Sequence, residues 1–111
     1  MSETRPSPQI NTTYTVFAHH RRRTTLRVLL DYETPIALAD LADEVAVHEN
    51  ETRLEEVSPK EVKRIYLSLY HSHIPKLKEA GFVQYDQDQD LVTLLDAGGK
   101  IEDHQERILA E

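Results

Sequence analysis

Apolar residues recur along this chain at two periods, and the changes of period divide it into elements. From Phe17 to Tyr32 the apolar positions Leu26, Leu29 and Leu30 fall at i, i+3 and i+4, the spacing of an amphipathic helix that stops before Pro35. His19-His20 marks a break from a short preceding turn that carries Tyr14 and Phe17. The stretch Pro35-Ile36-Ala37-Leu38 is too short for a helix and reads as one small strand. Leu38, Leu41, Ala42 and Val45 then form a second helical stripe over residues 39–48, with Asp40, Asp43 and Glu44 toward water. An acidic loop comes next, from His48 to Val57.

Ser58-Pro59-Lys60-Glu61 is the strongest local signal. The serine hydroxyl suits a helix N-cap, proline suits the first helical position, and Glu61 can complete a capping box. The third helix therefore starts there, with Val62, Ile65, Tyr66, Leu69, Tyr70, His73, Ile74 and Leu77 spread over a wider arc than one small core requires. Pro75 inside it predicts a kink, and Gly81 predicts a left-handed stop after Ala80. Phe82-Val83-Gln84-Tyr85 and Leu91 to Leu95 flank the turn formers Asp86-Gln87-Asp88-Gln89-Asp90, the pattern of a β-hairpin. Residues 1–13 read as a disordered arm, residues 14–96 as one domain, and residues 97–111 as a C-terminal amphipathic helix carrying Ile101, Ile108 and Leu109.

Length and composition restrict the chemistry. With 111 residues the chain builds one core, and with no cysteine it makes no disulfide, thiolate metal site or cysteine nucleophile. Three glycines cannot make a phosphate-cradling loop. No nucleophile stands with a base and an orienting partner, so neither enzymatic chemistry nor a cofactor is expected. His71 and His73 project about 200° apart on a helix, which argues against a shared metal ion. No apolar run approaches a membrane span, and the N-terminus lacks the apolar core of a signal peptide, so the expectation is a cytoplasmic protein.

The formal charge of −7 hides an alternation. Residues 1–30 carry five arginines against one acid; residues 31–57 carry nine acids and one arginine; residues 58–78 carry five bases and one acid; residues 79–111 carry nine acids and two bases. The two basic blocks hold the first and third helices. Acids make up 20 of the 111 residues and arginine outnumbers lysine by eight to five, the lean expected of a proteome adapted to high internal salt.

The order helix, short strand, helix, helix, hairpin is that of a winged helix-turn-helix, a mainly α fold with a small β-hairpin (α+β). The segment Leu69-Tyr70-His71-Ser72-His73-Ile74-Pro75-Lys76-Leu77-Lys78-Glu79-Ala80-Gly81-Phe82-Val83 resembles the end of the recognition helix in ArsR-like and MarR-like transcription regulators. Arg21 to Leu30 is similar to their first helix and Leu38 to Val45 to their second. Over about residues 17–95 the chain most resembles a group of small haloarchaeal winged-helix domains, with an Arg-rich first helix, a Ser-Leu-Tyr-x-x-His segment in the form Ser68-Leu69-Tyr70-His71-Ser72-His73, and an Asp-rich wing. The resemblance implies a homodimeric DNA-binding transcription regulator with its third helix in the major groove of double-stranded DNA. Two departures stand out: an acidic stretch of ten residues, His48 to Val57, replaces the short turn between the second and third helices, and the wing tip carries Asp86, Asp88 and Asp90 where the regulators often present bases.

Lys60, Arg64, Ser68, His71 and Ser72 share one face of the third helix and are the candidate DNA-reading residues. Arg21, Arg22 and Arg23 either hold the phosphate backbone beside it or pair with the acidic 31–57 block. Tyr14, Phe17, Ile101, Ile108 and Leu109 are the candidate dimerisation residues, the other arrangement being a monomer with the last helix folded onto its own core. The rival class of function is a non-enzymatic winged-helix protein-interaction module that offers its acidic loop and wing to a basic partner protein.

Overall fold

The computed structural model describes residues 16–32 and 34–95. Over these the chain is mainly helical with one small antiparallel sheet: α1 (His20–Asp31), β1 (Ile36–Ala37), α2 (Leu38–Asn50), a 3-10 turn (Leu54–Glu56), α3 (Pro59–Ser68), a π-helical turn (Leu69–His73), α4 (Ile74–Glu79), β2 (Val83–Asp86) and β3 (Leu91–Leu94). The sheet order is β1-β3-β2, both pairings antiparallel. Its register sets Ile36 and Tyr85 on either side of Val92, so one row of side chains faces the helices.

The expected break at His19 is present. Residues 16–18 form a helical turn, His19 is extended, and its Nδ1 accepts from the Arg21 backbone N–H at 3.3 Å to open α1. The second helix runs further than its stripe implied, to Asn50, where Glu51 closes it at φ 50°. The expected acidic loop is thereby shortened and contains the 3-10 turn. Ser58 caps α3 as predicted, its Oγ accepting from the Glu61 N–H at 3.1 Å, with Pro59 in the first turn. The predicted stop is a Schellman motif: Gly81 has φ 84°, its N–H bonds to the Lys78 carbonyl at 3.0 Å, and the Phe82 N–H reaches Leu77 at 2.9 Å.

The broad apolar arc of the third helix has a structural answer that the proline kink did not anticipate. Between Leu69 and His73 the helix widens into a π-turn, with the Ile74 N–H bonded five residues back to Leu69. One extra residue in a turn rotates the succeeding helix by about 100° relative to a continuous α-helix. Without that rotation Ile74 and Leu77 would leave the face of Ile65 and Leu69; with it all four are at most 1% exposed. Pro75 then falls in the first turn of α4, where a missing N–H costs least.

The core gathers Leu26, Val28 and Leu29 of α1, Leu38, Leu41 and Val45 of α2, Ile65 and Leu69, Ile74 and Leu77, and Phe82, Val83 and Val92 of the hairpin. Phe17, read from sequence as a dimer contact, belongs to this core: it is 8% exposed and stands edge-on to Phe82 at 5.6 Å. Tyr14, Ile101, Ile108 and Leu109 lie outside the described residues.

Candidate nucleic-acid interface

The outer face of α3 is set by what its inner face must bury. With Ile65, and Leu69 of the following π-helical turn, inward, Lys60, Lys63, Arg64 and Leu67 fall at i, i+3, i+4 and i+7 on the opposite side, His71 of that turn continues the row, and all five are exposed. Glu61 stands at the edge of this face, its carboxylate 3.9 Å from the Arg64 guanidinium. Arg64 keeps 67% of its side chain in water, so the pair holds it only loosely.

Three of the five sequence candidates on the third helix, Lys60, Arg64 and His71, are on that face. Ser68 and Ser72 are not: they turn toward α1, where Ser68 Oγ accepts from Arg21 Nη1 at 3.1 Å and Ser72 Oγ lies 3.5 Å from Arg22 Nη2. Lys63 and Leu67, missed from sequence, take their places. Their spacing from Lys60 carried the signal, but the polar sector was drawn toward the serines.

The Arg21-Arg22-Arg23 run is engaged within the chain. Arg21 forks onto Glu49 of α2, Nε at 2.5 Å and Nη2 at 2.8 Å, while its third contact reaches Ser68. One guanidinium thus ties α1, α2 and the end of α3 together. Of the two readings of this residue, pairing with the acidic block is the one realised. Arg22 is 7% exposed and donates from Nε to His73 Nδ1 at 3.0 Å, which places the proton of the neutral imidazole on Nε2. Arg23 Nη1 bonds the Phe17 carbonyl at 2.5 Å.

His73 is itself 3% exposed, with the His19 ring edge-on at 4.4 Å. Burial, helped by His19, Arg22 and Arg21, holds its pKa down at about 4. A neutral ring is what this place requires, because Nδ1 must accept from a cation. Among the described residues no group of three His, Cys, Asp or Glu side chains is placed to hold a metal ion.

The β2–β3 hairpin is fastened to α3 and to the π-helical turn through tyrosines. Asp90, at φ 57°, accepts from the Tyr66 hydroxyl at 2.8 Å and from the Tyr85 hydroxyl, and Gln87 Nε2 donates to Tyr70 Oη at 3.0 Å. The Asp90 hydrogen bond, then burial, raises the Tyr66 pKa; burial, then Asp90, raises that of Tyr85. Asp86 is also occupied, with Oδ1 accepting from the N–H groups of Asp88 and Gln89 at 3.0 and 3.2 Å. Two of the three tip carboxylates therefore build the turn or dock it, and Asp88 alone of them projects as a simple surface charge.

An open groove lies beside the face. Ala42 of α2, Leu54 and Val57 of the acidic insert, and Val62 and Tyr66 of α3 line an open apolar groove of about 520 Å³, with Asp43 at its rim. Burial, with Asp40 and Glu44 beside it, raises the Asp43 pKa. No helix of the described residues is long and apolar enough to cross a membrane.

No curated protein and no solved structure matches this chain. The family model of a domain of unknown function, DUF7344, matches residues 14–93, the stretch that holds nearly all of the described elements, and the chain belongs to that family.

Proposed function

We propose that this protein is a DNA-binding transcription regulator of the winged-helix type, with α3 in the major groove. The observation that carries the reading is the outer face of α3 and of the π-helical turn that continues it: Lys60, Lys63 and Arg64 of α3 and His71 of the turn are all exposed there, with Glu61 only at its edge. A helix that concentrates cations opposite its buried side is complementary to a polyanion and narrow enough for the groove. The element order and the β1-β3-β2 sheet support the same reading, since they are what a winged helix uses to present its third helix. Arg21 and Arg22 act in this scheme behind the reading face, by fixing α3 on α1 and α2. The wing, drawn onto α3 through Asp90, flanks the groove without entering it. The active species is a homodimer formed through the flanking segments, which sets two copies of α3 about 34 Å apart, one turn of duplex.

Replacing Lys60, Arg64 and His71 together by alanine tests this. All three are exposed, so the circular dichroism spectrum and thermal midpoint stay near wild type. Affinity for a fluorescent random-sequence duplex at about 0.1 M salt falls at least tenfold, as expected when phosphate and base contacts are removed. Unchanged duplex binding by the triple variant refutes the reading. The rival, a protein-interaction module, is favoured by the groove under the acidic insert; it requires a partner whose capture survives the triple substitution and is lost on Leu54→Asp.

A further inference from the structure

Three large apolar side chains are exposed among the described residues: Tyr32, Leu54 and Leu67. The first two are explained by their contacts. The Tyr32 hydroxyl donates to Glu44 at 2.7 Å, and Leu54 forms one lip of the apolar groove. Leu67 has neither kind of contact. It is 41% exposed and belongs neither to the core nor to the half-buried residues packed on it. Its neighbours on the helix surface are Lys63 at i−4, Arg64 at i−3 and His71 at i+4, so a purely apolar group occupies the middle of the cationic face.

We propose that Leu67 is a specificity-determining residue that packs against the 5-methyl group of a thymine in the major groove, between polar contacts from Lys63 and Arg64 on one side and His71 on the other. The inference rests on the DNA-binding reading above and names the base its central residue selects. Along the major-groove edge, adenine, guanine and cytosine present donors and acceptors, and thymine alone adds a methyl group. A leucine set against a donor or acceptor displaces its water and returns no hydrogen bond, an unfavourable exchange. Set against the methyl, it removes apolar surface from water on both sides. The surroundings choose duplex DNA over a protein as the occupant. Centres of protein interfaces are depleted of lysine, whereas Leu67 is ringed by groups that complement phosphates and base acceptors.

The test uses the full chain and duplexes enriched from a random-sequence pool at about 0.1 M salt. Each thymine of an enriched duplex is replaced in turn by deoxyuridine, which removes one methyl group and leaves every hydrogen-bonding atom in place. At one thymine per half-site the wild-type protein loses about fourfold in affinity, the value expected for one buried methyl group. Leu67→Ala, a change at an exposed helical position, binds the thymine and deoxyuridine duplexes equally. If duplexes are enriched and no deoxyuridine substitution matters, or if Leu67→Ala remains as sensitive as wild type, this proposal fails and the DNA-binding reading stands. If no duplex is enriched, both fall.

Discussion

Arg21→Ala separates the two roles an arginine can have at this position. In the folded chain the guanidinium makes two charge-assisted hydrogen bonds to Glu49, at 2.5 and 2.8 Å, and a third to Ser68 at 3.1 Å. A hydrogen bond to a charged group contributes about 1.5–3 kcal/mol, and breaking a fully buried pair costs about 3–5 kcal/mol. Here the two side chains are 26% and 16% exposed, so water recovers part of the loss, and the expected cost is about 2–3 kcal/mol. For a domain of this size that lowers the thermal midpoint by about 10–20 °C. Urea unfolding monitored by circular dichroism measures it, with Arg64→Ala as the exposed control, expected within about 0.5 kcal/mol of wild type. A double-mutant cycle with Glu49→Gln should return a coupling of about 1.5 kcal/mol, weakly dependent on salt because the pair is partly enclosed. An Arg21 that gripped phosphate would do the reverse, leaving stability intact and flattening the salt dependence of duplex binding by about one phosphate contact. A loss below about 0.5 kcal/mol in Arg21→Ala refutes the structural role.

Two further expectations rest on polar groups held away from water. His73 has a pKa of about 4 in the folded chain against 6.5 unfolded, so between these values the unfolded state binds the additional proton. Stability is therefore complete above about pH 6.5 and declines as pH falls toward 4, by up to about 1.4 kcal/mol per pH unit from this group. Denaturation midpoints at pH 7 and pH 5 should converge in His73→Gln, which retains an acceptor for Arg22 and does not titrate; an equal pH dependence in that variant assigns the effect elsewhere. Asp90→Ala removes the acceptor of two tyrosine hydroxyls and leaves alanine at a left-handed φ of 57°, and should cost about 2–4 kcal/mol. In the same variant the Tyr66 and Tyr85 phenols should titrate closer to pH 10 in an ultraviolet titration; unshifted titration means the β2–β3 hairpin is docked by other contacts.

Much of the architecture was legible because it is written in local chemistry. Ser58-Pro59-Lys60-Glu61 starts a helix through its own hydroxyl and ring, Gly81 ends one because it alone accepts φ 84° without strain, and the turn formers between Tyr85 and Leu91 leave a hairpin as the simplest path. The strand at Ile36–Ala37 was visible as a segment too short to be a helix, although its pairing to β3 rather than β2 was not. The features that stayed out of reach depend on groups far apart in the chain. The π-turn at Leu69–His73 answers a mismatch between helical period and core direction that exists only once α1 and α2 are in place.

The candidate site divides along the same line. Sequence alone determined that the third helix carries a polar face with Lys60, Arg64 and His71 on it, since i, i+4 and i+11 spacing is a property of the helix itself. Tertiary structure decided which side chains remain free to use it. Ser68 and Ser72 are turned to Arg21 and Arg22, forty-seven and fifty residues away, and Asp90 of the hairpin turn is held by two tyrosine hydroxyls. The physical reason is that a polar side chain excluded from water must find a partner wherever the packing brings one, and packing is decided by the whole chain.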